Sequence, residues 1–308
     1  MSTTFETELI SKLKIKKLSD TSIKSYIRNL ELLNDKKPLN NIKFLNDIDT
    51  IQDKLNNKSA NTAKSYYIII VSILNLLDND KLRDKYYKLM KNKVEETKKN
   101  LEDGKANKTQ TENWETWDDI LKKYKDIKDI VDTFKNNKNI NENQYNCLLA
   151  LMILSLYTLT PPRRNEYANM NVIYKADNND NINYLSYSDK YFYFNDYKTK
   201  KTYGSQIIPI NKDLMEIINL YLKYHPIIKG KINKNTNTHF LVDWEGKNIT
   251  TNNITKILNK IFDKKISTSM LRHIYLTSKY KDVNKEEKKD ADLMAHSQMM
   301  QKEYIKNL

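Results

Sequence analysis

The sequence predicts a mainly α-helical chain with one small antiparallel β-sheet, arranged as an N-terminal helical bundle followed by an α+β domain. Apolar residues recur at spacings of three and four through most of the chain, as amphipathic helices require. Aromatic and β-branched residues dominate both flanks of the segment between residues 184 and 210, where strands are expected. A polar stretch from Lys91 to Asn113, holding one of only four glycines, reads as a linker. At 308 residues the chain can carry two domains with separate cores, 1–103 with the linker and 104–308.

In the first domain, Ile23, Tyr26, Ile27, Leu30 and Leu33 form one helical face, with Ser19 or Asp20 as the cap. Pro38 closes the connection that follows, and Phe44, Leu45, Ile48, Ile51 and Leu55 predict one or two short helices. Ser59 starts the next helix, whose inward face is Tyr66, Ile69, Ile70, Ile73, Leu74 and Leu77. Leu82 to Met90 predicts a fourth. Lys24, Lys58 and Lys64 fall near helix starts, where the macrodipole also favours phosphate.

The second domain opens with Trp114, Trp117, Ile120, Leu121 and Tyr124 on one amphipathic helix, then a nearly continuous apolar helix from Tyr145 to Leu159. In the T-L-T-P-P-R-R-N-E-Y that follows, two prolines predict an extended entry and a restarted helix with Arg163 and Arg164 in its first turn, an anion site. The segment Y-L-S-Y-S-D-K-Y-F-Y-F-N-D-Y-K-T-K-K-T-Y-G-S-Q-I-I-P-I predicts a hairpin with a basic turn around Thr199 to Gly204. Asp213 to Tyr224 and Ile249 to Phe262 are helical by pattern, with a short strand at Phe240 to Val242 between them. His225 and His239 belong to no motif and are expected on the surface.

Composition narrows the chemistry. Lys and Arg number 53 against 39 Asp and Glu, a formal charge of +14, which favours a polyanionic partner through counterion release. Lysine and asparagine are spread throughout, in the manner of an AT-rich genome, so part of that charge reflects coding bias. The single cysteine, Cys147, excludes an internal disulfide and a C-x-x-C metal or redox site, and its apolar surroundings predict a buried structural thiol. The acidic D-N-N-D-N at 177–181 lacks the glycine and glutamate of an EF-hand loop, and no G-x-x-x-x-G-K phosphate loop occurs. With no long apolar run and no apolar leader, a soluble intracellular protein is expected.

The sharpest pattern lies at the C-terminal end. S-T-S-M-L-R-H-I-Y-L-T-S, from Ser267, places Arg272 and His273 on an apolar helix; L-M-A-H-S follows with His296, and Tyr304 stands eight residues after it. A phosphodiester can be cut without a metal when a tyrosine oxygen attacks phosphorus while arginines and a histidine hold the non-bridging oxygens. S-M-L-R-H, M-A-H-S and the later tyrosine resemble the signatures of the tyrosine recombinases, the phage-type integrase family. T-P-P-R-R-N-E resembles that family's T-G-x-R-x-x-E box, with proline in the glycine position, and Ser269 stands where the family has a histidine.

The resemblance implies a helical core-binding domain, in which S-A-N-T-A-K-S-Y-Y with Lys64 would lie against DNA, joined to a mixed α+β tyrosine-recombinase catalytic domain. It makes Tyr304 the nucleophile of a 3′-phosphotyrosyl link. Arg163 and Arg272 would clamp the phosphate, with Arg164 second in line for Arg163's role and Glu166 as the structural acid. His296 would add a hydrogen bond, and a hairpin lysine, Lys198 or alternatively Lys201, would protonate the leaving 5′ oxygen. Ser269 would contact the phosphate, and His273 or water would take the tyrosine proton. No cofactor, metal or ATP is implied; double-stranded DNA and a homo-tetramer on it are. A lean toward integration of a viral or mobile element follows from the AT-rich style. A type IB topoisomerase and a catalytically silent DNA-binding relative are the competing readings.

Overall fold

The protein is described here by a computed structural model, which covers residues 4–102, 106–176 and 181–293. The chain divides into two compact units, 1–106 and 107–308.

Unit one is all helical: α1 (Thr4–Ile15), α2 (Asp20–Leu33), a 3-10 turn at Lys43–Asn46, α3 (Ile48–Asn56), α4 (Ala60–Leu76) and α5 (Asp80–Glu102). Side-chain caps set the helix starts. Ser19 accepts from the Ser22 N–H and Ser59 from the Thr62 N–H, each satisfying a donor that the first turn leaves open. α4 is the organising helix because it is apolar on two sides. Ile69 and Ile73 pack with Leu9, Leu13, Ile23 and Leu30, whereas Tyr66, Ile70 and Leu74 pack with Leu45, Ile51, Leu55 and Tyr86. α1 was not foreseen from the sequence, although Leu9 and Leu13 are fully buried on it.

The expected linker is corrected in its first half. From Lys91 to Glu102 the chain continues α5, since Lys and Glu are good helix formers and no breaker precedes Gly104. Thr97, deep in this polar run, is buried and accepts from the Lys64 ammonium at 3.2 Å. Gly104 itself lies outside the described residues.

Unit two contains α6 (Lys108–Asn113), α7 (Trp117–Asp132), α8 (Glu142–Thr158), β1 (Asn171–Ile173), β2 (Tyr184–Ser186), β3 (Tyr191–Phe194), α9 (Lys200–Tyr203), β4 (Gln206–Pro209), α10 (Lys212–Tyr224), β5 (Asn237–His239), α11 (Thr251–Phe262) and α12 (Thr268–Leu293). Capping boxes of Asn107 with Gln110, Thr116 with Asp119, Asn141 with Gln144 and Thr250 with Asn253 start four of the helices. Trp114 ends α6 instead of opening α7. α8 buries ten side chains and forms the centre of the core, with Ile120 and Val131 of α7, Leu214 and Ile218 of α10 and Ile254 and Leu258 of α11 packed in the same cluster.

The sheet runs β4-β3-β2-β1-β5. It is mixed, not antiparallel as expected, because β1 and β2 pair in parallel, Val172 opposite Leu185. The other pairings are antiparallel, and β3 meets β4 with Phe192 opposite Ile208. The strand expected at Phe240 to Val242 forms just upstream, at Asn237–His239, and the three apolar residues after it are buried in the core. The acidic run at 177–180 lies outside the described residues.

His225 corrects another expectation: it is fully buried. Its Nδ1 accepts from the Ile227 and Ile228 N–H groups, and its Nε2 bonds the His239 carbonyl at 3.1 Å, which assigns the neutral tautomer with the proton on Nε2. Burial drives its pKa down from 6.5 to about 4. Cys147 is half-buried, in a groove with Ile127, Ile257 and Ile261, and burial pushes its thiol up.

Candidate functional site

After α8 the chain passes through Pro161 and Pro162 and does not restart a helix. Residues 161–164 have no regular structure, and a turn closes with the Ala168 N–H donating to the Asn165 carbonyl. Arg163 and Arg164 therefore sit on an irregular loop, a correction to the expected helix start. Side chains hold this loop in place of a helix ladder. The Tyr157 hydroxyl donates to the Arg164 carbonyl at 3.0 Å. Asn183 donates to the carbonyls of Glu166 and Asp196 and accepts from the N–H groups of Asn195 and Asp196, which uses every donor and acceptor it has. One buried amide thus fastens the arginine loop to the turn after β3.

The loop, the β3–β4 connection and the start of α12 line one cleft of about 420 Å³. Arg163, Arg164 and Glu166 come from the loop, Tyr197, Tyr203 and Gln206 from the hairpin, and Arg272 from α12. Two bonds set α12: the Met270 N–H donates to Ser267 Oγ, and the Thr268 hydroxyl donates to Asn165 Oδ1 at 2.9 Å. Met270, Leu271 and Ile274 go into the core, and Tyr275 meets Trp117 edge-on at 5.1 Å, so Arg272 is left on the cleft side.

Among the described lining residues, three guanidinium groups share the cleft with one carboxylate. Arg163 is held on several sides: Nη1 donates to Gln206 Oε1 at 2.9 Å, and Cζ lies 3.9 Å from the Phe194 ring centroid, a cation–π contact. Its Nε stands 3.9 Å from Glu166 Oε2, an ion pair whose side chains are 18% and 8% exposed, and both atoms lack a hydrogen-bond partner. Arg164 and Arg272 are half-buried, and among the described residues neither side chain has a hydrogen-bond or ion-pair partner. Tyr167 closes the floor of the cleft, where burial pushes its hydroxyl up to about 12 and keeps it neutral. An excess of fixed positive charge in a half-closed cleft favours a phosphate over water.

The cleft brings together Arg163, Arg164, Arg272 and Glu166 of the residues singled out by sequence. Lys198 is exposed in the turn beyond β3 and Lys201 is exposed on α9; neither lines the cleft, though Tyr197 and Thr199 on either side of Lys198 do. Ser269 and His273, on α12, are exposed and also off the lining. His296 and Tyr304 lie outside the described residues. Lys64 belongs to unit one, where its ammonium donates to the Thr97 hydroxyl. Sequence reasoning missed Gln206, Phe194, Asn183, Thr268 and Asn165, which act through partners far along the chain and leave no local pattern. No protein family, curated protein or solved structure matches the chain.

Proposed function

We propose that this chain is a tyrosine recombinase that cuts and rejoins double-stranded DNA through a 3′-phosphotyrosyl intermediate, in the service of an integrating viral or mobile element. The observation that carries the reading is the convergence of Arg163, Arg164 and Arg272 on one cleft, with Glu166 the single carboxylate among its described lining residues. In this mechanism the Tyr304 oxygen attacks phosphorus as His273 or water takes its proton, and the bond to the 5′ oxygen breaks. Arg163 and Arg272 neutralise the non-bridging oxygens with planar forks, and His296 donates a further hydrogen bond. Lys198 gives its proton to the leaving 5′ oxygen, with Lys201 as the alternative donor. The phosphotyrosyl bond conserves the energy of the phosphodiester, so the 5′ hydroxyl of a second duplex can reverse the attack without ATP. Exchange between two duplexes calls for four such sites, hence a homo-tetramer on DNA.

The test is a duplex nicked near the scissile phosphate, so that the leaving strand is lost and the covalent adduct accumulates. Wild type yields a protein–DNA adduct that resists denaturant, and Tyr304→Phe yields none. An equal adduct from both overturns Tyr304 as nucleophile, and none from either overturns cleavage. A DNA-binding protein without cleavage is the second reading, favoured by the exposed positions of Lys198 and His273 off the cleft lining. Transfer of strands between two duplexes, as against relaxation of a supercoiled circle, separates a recombinase from a type IB topoisomerase.

A further inference from the structure

The cleft is larger and more apolar than a phosphate site requires. Its 420 Å³ falls in the range of small-molecule pockets, about 300–1,000 Å³. Beyond the arginines its wall is made of Pro161, Pro162, Ile208 and the rings of Tyr197 and Tyr203. The two tyrosines differ. The Tyr197 hydroxyl donates to the Gly204 carbonyl at 2.7 Å, and its ring lies beneath the Arg163 guanidinium, 5.6 Å from centroid to Cζ. Tyr203 is 67% exposed, far more than an aromatic ring in a finished core.

Tyr203 is nonetheless held in place. The Tyr203 N–H donates to the Thr199 carbonyl and the Gly204 N–H to the Lys200 carbonyl, closing the single turn of α9. Gly204 then reverses the chain at φ +68°, a conformation that L side chains rarely adopt. With the Tyr197 bond across its neck, the loop is a small hydrogen-bonded unit that presents one bare ring on the lining of the cleft that holds three arginines.

Resting on the reading of the cleft as a DNA-phosphate site, we propose that it takes a nucleotide whose base has left the duplex stack, the phosphate at Arg163 and Arg272 and the base against Tyr203. A stacked base has both faces covered, so a ring beside the phosphate clamp gains contact only with a base that is unpaired or displaced. An aromatic platform tolerates any base, which makes the preference one for local unpairing and not for sequence.

The experiment measures, for each protein, the ratio of affinities for a fully paired duplex and for the same duplex with one mismatched nucleotide beside the scissile phosphate. Wild type is expected to favour the mismatched duplex about tenfold, the effect of one stacked base. Tyr203→Ala brings the ratio to about one, while Tyr203→Phe and Tyr203→Trp keep it. A ratio near one in wild type, or a ratio retained in Tyr203→Ala, overturns the proposal. Adduct formation on the nicked duplex is followed in parallel. Adducts without a Tyr203-dependent ratio leave strand cleavage standing and remove the stacking site; a Tyr203-dependent ratio without adducts does the reverse.

Discussion

The two walls of the arginine cleft hold the same side chain in opposite ways. On the loop wall, Arg163 is gripped by Gln206, by the Phe194 ring and by Glu166, an acid three residues on. On the helix wall, Arg272 is placed only by its backbone: Ser267 and Thr268 anchor the helix start, Leu271 and Ile274 bury the opposite face, and the guanidinium has no partner of its own among the described residues. One arginine is preorganised and serves structure as well as charge; the other has no polar partner of its own among the described residues. The difference teaches that shared membership of a site does not predict shared consequences of mutation.

The largest effect should appear when both walls lose their forks. Arg163→Lys and Arg272→Lys are each expected to lower the rate of adduct formation by about 10²–10³, since lysine cannot make the bidentate contact and one preorganised donor contributes on that scale. Single-turnover kinetics on the nicked duplex checks this. Stability should separate the walls. Arg163→Ala leaves the buried Glu166 carboxylate without its ion-pair partner and should cost about 2–4 kcal/mol, whereas Arg272→Ala should change unfolding by less than about 0.5 kcal/mol. Equal costs in urea titrations would mean that Glu166 does not depend on Arg163.

His225 offers a contrast within the same unit, a polar side chain whose bonds are complete in the neutral form. Its folded pKa of about 4 lies below its ordinary 6.5, so the unfolded chain binds the extra proton first as pH falls. Stability should be full above about pH 6.5 and fall by up to about 3 kcal/mol as pH approaches 4. His225→Asn, which keeps an acceptor near Nδ1 and cannot titrate, should flatten that part of the curve.

The seam between the walls is the Thr268–Asn165 hydrogen bond. Thr268→Val, which keeps the shape and removes the donor, should cost about 1 kcal/mol and lower adduct formation several-fold by loosening Arg272 against the loop. The smallest effect belongs to unit one. Lys64 already donates to Thr97, so Lys64→Ala should leave the salt dependence of duplex binding nearly unchanged, while a phosphate-contacting Lys58 or Lys24 would lower the slope by about 1 when removed.

Local signals were legible where the physics is local. Ser19 and Ser59 marked helix starts, the apolar run from Tyr145 marked the central helix, and the aromatic strand Tyr191–Phe194 marked the hairpin, because caps, periodicity and β-propensity act within a few residues. Pro161–Pro162 misled for the same reason. The dipeptide is compatible with a helix start, but the Asn183 and Tyr157 bonds to the next few carbonyls hold the chain in a loop. His225 and Thr97 looked like surface residues in polar text, and only the packed fold shows their partners.

By itself the amino-acid order determined most of the helices and the β3–β4 hairpin, that the charge is strongly positive and that arginines stand in two candidate boxes. Tertiary structure alone decided that β1 and β2 run parallel, that Arg163 is locked while Arg272 has no partner among the described residues, and that Tyr203 is exposed on the lining of the same cleft. The reason is range. Backbone preference is set by neighbours a few residues away, whereas the environment of a charged or aromatic side chain is set by whatever distant segment folding brings against it.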